Sequence, residues 1–327
     1  MYRIFNKNSL GAFIMLPILL LIYRIRLISN PTLGMAANDA DLYTPIWNAT
    51  LGHITMGSTL SIAVAIGLTF LTLLIVNNTY ASYRFSRNVT FLPACVFIIL
   101  SSGFVIGQGL HPVLVFVIFY AIGMHRLFEV IRPDAKPYRY CFEAMINISI
   151  GSLFWAKGLW LVPLMIVSAG MLKVLGIRTL GCMLWGLLAP WVIVGTLAYV
   201  TDDLEAFIES YEQSLVVPVA FYKTWMMGKT FLLVYGAVLF LSIISAMRNS
   251  VSLSTWQSRM VRVIIWMVIY PSVLIISPYF SFEVQILVAT GGAGLVSVWL
   301  QRQKRQLVSE IVLTLFTLFT LTMQWII

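Results

Sequence analysis

Apolar runs of about 17–25 residues recur along this chain between short charged clusters, and they limit its fold more than any other feature. A run of that length crosses the roughly 30 Å hydrocarbon core of a bilayer as a single α-helix. The other fold that satisfies its backbone polar groups in lipid is a closed β-barrel. A barrel would show short strands of alternating character instead. A soluble domain carries roughly 45–50% apolar and about 25% charged residues. Here 60% are hydrophobic and 10% charged, with a mean hydropathy of +0.92. The expected class is an all-α integral membrane protein, one polytopic domain over residues 1–327 in contact with membrane lipids.

Eleven runs are counted, at 9–28, 54–76, 89–107, 110–125, 141–156, 158–172, 179–200, 230–247, 262–277, 281–300 and 307–327. The first, preceded by Arg3 and Lys7, resembles a signal peptide but reads as a retained helix. With the N-terminus in the cytoplasm, sixteen of the 21 Lys and Arg residues fall in inner loops, as the positive-inside rule requires. The C-terminus is then periplasmic. The net charge of +9 belongs to these loops facing anionic lipid, not to a nucleic-acid surface. Reading 141–172 as one span inverts all that follows and loses the bias. A re-entrant hairpin there, entering from the cytoplasm, preserves it.

This topology leaves two sizeable outer loops, at about 29–53 and 201–229. In the second, the spacing of Leu204, Phe207, Ile208, Tyr211 and Leu215 suits an amphipathic helix lying at the interface, which Pro218 would end. The first carries Asp39 and Asp41. Two carboxylates close behind a helix end suit a general base or a divalent-cation site, although outer loops in this chain are acidic in any case.

Five basic residues break the inside rule: Arg24, Arg26, Lys157, Lys223 and Lys229. Outer cations can clamp a phosphate, Arg through paired hydrogen bonds; the structural alternative is snorkelling to head groups. Residues two apart do not stack on a helix, so Arg24 or Arg26 should turn into the bundle or toward the head groups. Tyr43 and Trp47 supply aromatic faces of the kind sugars stack on. His53 and His111, both outer, are structural or bond a ligand. With His125 inside, the three histidines are too few for a multi-histidine iron site. Glu143 and Glu310 lie at the inner ends of runs. Thr290-Gly291-Gly292-Ala293-Gly294 lacks the Lys-Ser/Thr of a phosphate loop and reads as close helix packing. Cys95, Cys141 and Cys182 read as small core residues. Pro93, Pro163, Pro190 and Pro271 are candidate helix breaks.

Cys141-Phe142-Glu143-Ala144, Ser152-Leu153-Phe154-Trp155, Gly186-Leu187-Leu188-Ala189-Pro190-Trp191 and Leu197-Ala198-Tyr199 make a set of motifs with Arg3-Ile4-Phe5-Asn6-Lys7-Asn8. Together they resemble a family of polytopic bacterial inner-membrane proteins of similar length. That likeness implies a location in a two-membrane bacterium and no activity. In architecture the chain also resembles GT-C type membrane glycosyltransferases, with aspartates in the first outer loop and outer basic residues. This second resemblance implies a polyprenyl-phosphate-linked sugar donor. Asp39 or Asp41 would deprotonate the acceptor, and Arg24, Arg26, Lys223 or Lys229 would hold the donor phosphate. The chain differs from larger members in having no soluble periplasmic domain and in separating its two acids by Ala40.

The expected function is therefore an inner-membrane glycosyltransferase or polymerase acting at the periplasmic face. Two alternatives stand beside it. A transporter or flippase should show polar groups and broken helices within the bilayer. A non-enzymatic subunit of an envelope complex would use 201–222 to dock its partners.

Overall fold

A computed structural model of the protein describes residues 1–7, 9–34, 44–55, 57–83, 89–132, 135–216, 226–250, 253–277, 279–280, 282–303 and 305–326. Among these residues every regular element is helical. Seven helices are long and apolar enough to cross a membrane: those at 10–29, 59–82, 112–129, 177–200, 228–248, 255–276 and 306–325. Each of the remaining apolar runs also holds a helix, but a shorter or less apolar one. The chain is thus of the multi-pass helical membrane class. It divides into two compact units, Met1–Ala37 with Met56–Leu110 and Ala220–Ile327, and Asn38–Thr55 with His111–Val219.

The first unit contains α1 (Tyr2–Phe5), α2 (Leu10–Ser29), α4 (Thr59–Ser82), α5 (Leu92–Ser101), α11 (Met226–Ser250), α12 (Thr255–Ile276), α13 (Gln285–Gln301) and α14 (Gln306–Ile326). Its centre is the pair α5 and α13. All ten residues of α5 are buried, and α13 is buried along nearly its whole length. Glycines let α13 approach its neighbours closely. A Cβ on Gly291 would stand 2.9 Å from Val268 of α12, and one on Gly294 only 2.3 Å from the Tyr80 ring of α4. The close-packing reading of this glycine run therefore holds.

α14 is amphipathic in the inverted sense. Its buried face carries Ser309, Thr317, Thr320 and Gln324, while Leu307, Ile311, Leu315 and Leu318 are exposed. A helix with polar groups inside and an apolar stripe outside suits lipid as the surrounding solvent. α14 runs parallel to α2. The Met1 ammonium meets Glu310 at 2.6 Å, the Tyr23 hydroxyl lies 2.6 Å from Thr320, and the Arg26 guanidinium sits 5.9 Å over the Trp325 ring. Glu310 is thereby an ion-pair partner of the Met1 ammonium and of Arg3.

The second unit contains α3 (Pro45–Thr50), α6 (Pro112–Glu129), α7 (Pro137–Phe154), α8 (Val162–Met171), α9 (Ile177–Val200) and α10 (Leu204–Val216), with a 3-10 turn at Ala156–Leu161 before α8. α7 packs against both α6 and α9. Small residues set these distances: a Cβ on Gly123 would lie 2.9 Å from the Ala144 carbonyl, and one on Gly186 2.7 Å from that of Phe142. One end of the unit is tied by ion pairs from Arg126 and Arg132 to Glu129, at 2.8 and 3.0 Å. Arg126 and Arg139 also reach Glu143, at 3.5 and 2.8 Å. Glu143 is a structural partner here.

Two of the expected helix breaks are helix starts, since Pro93 and Pro163 open α5 and α8. There the missing N–H has no intrahelical partner to lose. Pro190 and Pro271 do lie inside α9 and α12. The three cysteines are free, with Cys95 and Cys141 buried.

Candidate functional site

Sequence-predicted site residues fall into three groups. Asp39, Asp41, Tyr43 and Lys223 lie outside the described residues. Arg24, Arg26 and Lys229 belong to the first unit; Trp47, His53, His111 and Lys157 belong to the second.

In the first unit, α5 ends after ten residues, about 15 Å of rise, and its last carbonyls need partners away from water. The chain turns at Gly103, where a Cβ would collide with the Phe231 ring at 2.1 Å. Three buried glutamines answer the need. Gln285 donates to the Leu100 carbonyl at 2.6 Å, Gln108 donates to the Ser102 carbonyl at 2.8 Å, and Gln324 also bonds Ser102.

Against this polar core lies Arg24, only 2% exposed. Its guanidinium donates to the Gln108 carbonyl and, at 2.9 Å, to the Thr69 hydroxyl. Among the described residues no carboxylate stands within ion-pair distance of it. Arg24 Nε, Gln108 Oε1 and Ser102 Oγ are buried without a hydrogen-bond partner. Arg24 is therefore the inward-turned arginine of the pair. Arg26 is half-buried under Trp325, and Lys229 is exposed near the start of α11.

In the second unit, Thr44 caps α3 and its hydroxyl donates to the Phe154 carbonyl at 2.9 Å, at the end of α7. Trp47 is buried, and Ile46 packs on the cluster of Leu153, Ala156, Phe207 and Tyr211. The amphipathic helix expected at 204–222 is α10, which ends at Val216. It buries Phe207 and Tyr211 and leaves Ile208 exposed. Tyr211 donates to the Leu153 carbonyl at 2.7 Å, and burial raises its hydroxyl well above the usual tyrosine range, so it stays a donor. The Trp191 ring meets Tyr211 at 4.8 Å. Lys157, in the 3-10 turn next to Ala156, is buried.

The two histidines part company. His111 caps α6, its Nδ1 accepting from the Val113 amide at 3.2 Å; that is a structural role. His53 is exposed after α3.

Sequence reasoning missed Gln108, Ser102, Gln285 and Gln324. The available signal was three glutamines set in or beside apolar runs, where an uncharged polar side chain must find a buried partner. Among the described residues no group of His, Cys, Asp or Glu is placed to hold a metal; the divalent-cation reading rested on Asp39 and Asp41, outside them. No family model, curated protein or solved structure matches the chain.

Proposed function

We propose that the chain is a multi-pass protein of a bacterial inner membrane that transfers a sugar from a polyprenyl-phosphate carrier at the periplasmic face, as a glycosyltransferase or polymerase. One observation carries this reading. Thr44 and Trp47, which follow the Asp39–Asp41 segment in the chain, are fixed on the end of α7 beside the buried Lys157. Asp41 stands only three positions before Thr44 in the sequence, which joins that loop to an element packed at the same end of the unit as a buried cation. Such mixed apolar and charged linings suit a lipid-linked sugar.

In the reaction, an acceptor hydroxyl attacks the anomeric carbon and Asp39 or Asp41 takes its proton. The bond from that carbon to the phosphate oxygen breaks, and the polyprenyl phosphate leaves against a basic residue. The finer topology belongs to this proposal as well: eleven crossings, a cytoplasmic N-terminus, a periplasmic C-terminus, and α10 at the periplasmic interface. A divalent cation, if one acts here, is assigned to the same two aspartates.

The test is to replace Asp39 and Asp41 with Asn and analyse surface and protein glycans. Loss of a glycan at normal protein level is expected; unchanged glycans would sink the enzyme. A second reading, movement of the lipid-linked group without chemistry, is favoured by the buried Arg24 beside the truncated α5. That is the broken-helix, polar-core pattern of transporters. Flux of a labelled lipid phosphate in proteoliposomes, undiminished in the Asn variants, would favour it.

A further inference from the structure

We propose that Arg24, Gln108 and Ser102 form a buried site for a phosphate that carries a hydroxyl donor beside its oxyanion, an inference that rests on the lipid-phosphate reading above. Arg24 is a charge removed from water with no described carboxylate to balance it. Such a charge is costly in a membrane unless an anion joins it. Each Nη atom makes one bond, to Gln108 and to Thr69, and Nε–H has no partner. The neighbouring free atoms define what else the ligand must offer.

Gln108 is linked to both other residues, its carbonyl holding Arg24 and its side-chain amide holding the Ser102 carbonyl. Because that carbonyl can only accept, the amide nitrogen of Gln108 faces it, and the free atom is the oxygen Oε1. Oε1 can only accept; the Ser102 hydroxyl can do either. A bare phosphodiester satisfies Arg24 Nε and leaves Oε1 unpaired. A phosphate bearing P–OH, or one with a hydroxyl on the adjoining group, satisfies both. Leaving a buried acceptor unpaired is the stronger form of discrimination. Gln285 and Gln324 are committed to the carbonyls at the end of α5, so once the Ser102 hydroxyl donates to the oxyanion neither glutamine can turn to Oε1.

The experiment uses the purified full chain in phosphatidylcholine nanodiscs, with added lipids quantified by native mass spectrometry. Phosphatidylglycerol offers head-group hydroxyls. Phosphatidic acid at about pH 5 offers P–OH, since a phosphomonoester loses its second proton near about pH 6. Phosphatidylmethanol carries the same single charge with no hydroxyl. The first two should bind, and phosphatidylmethanol roughly ten- to a hundredfold more weakly. Inorganic phosphate competing equally well would assign the same chemistry to a water-soluble source.

Arg24→Gln should abolish binding of all three lipids. Gln108→Glu, which puts a negative charge in the site, should do the same; because it also loses the donor to the Ser102 carbonyl, its thermal midpoint should fall, and binding is read on protein that still unfolds cooperatively. Equal binding of phosphatidylmethanol overturns the hydroxyl requirement and leaves the sugar-transfer reading standing. Anion binding unchanged in both variants, or absent from the wild type, overturns the site itself. The glycan assay on Asp39 and Asp41 is independent of either result.

Discussion

Gly186 and Gly195 lie on the same helix, α9, and respond oppositely to a methyl group. At Gly186 the new Cβ would meet the Phe142 carbonyl at 2.7 Å and the Ile146 amide nitrogen at 3.3 Å, both backbone atoms of α7. Backbone cannot rotate aside as a side chain can, so Gly186→Ala must part the two helices. Overpacking of this kind costs about 1–3 kcal/mol, and the thermal unfolding midpoint in detergent should fall. Gly195 has nothing within 4 Å, so Gly195→Ala should hold or raise the midpoint through helix propensity worth up to about 1 kcal/mol. The same scale shows where sequence reasoning stops. Spacing says that Arg24 and Arg26 point different ways, but only the positions of Gln108 and Thr69 decide that Arg24 turns inward. Those partners stand 84 and 45 positions along the chain, beyond the reach of any local pattern.

α10 is the element whose amphipathic face was legible, because residues three and four apart share a stripe. What the stripe covers was not legible. Phe207 and Tyr211 pack on Trp191 of α9 and on Leu153 and Ala156, whereas Ile208, on the same predicted stripe, is 55% exposed. Phe207→Ala should remove much of what docks α10; full Phe→Ala losses in cores run about 3–5 kcal/mol. Hydrogen exchange measured by mass spectrometry should then rise across 204–216 while 137–154 stays protected. A rise in both would mean that α10 is part of one cooperative unit with α7, not a docked surface element. α5 makes the opposite case. Its first nine residues are apolar on every side, so periodicity gives it no orientation, and the run predicted at 89–107 gave no hint that the helix stops at Ser101. The stop depends on Gly103 fitting against Phe231, another long-range contact.

At the scale of the whole chain, the parallel course of α2 and α14 places the two chain ends at opposite ends of the first unit. An odd number of crossings follows if both helices span, and both seven and eleven are odd. The two counts differ in where they put α10. If only the seven long helices cross, α6 runs outward and α9 inward, so α10 is cytoplasmic. In that arrangement Arg126, Arg132, Lys136 and Arg139 all face the periplasm, against the charge bias. If α5, α7, α8 and α13 also cross, those four residues return to the cytoplasm and α10 becomes periplasmic.

Impermeant maleimide labelling of single-cysteine variants separates these cases, with Cys95, Cys141 and Cys182 first replaced. Glu209→Cys, on the exposed side of α10, should label in intact spheroplasts. Arg305→Cys, exposed at the start of α14, should label only after permeabilisation. A Glu209→Cys that stays silent until the membrane is opened would remove the eleven-crossing topology. The anion site at Arg24 would survive that outcome, because it is built entirely within the first unit.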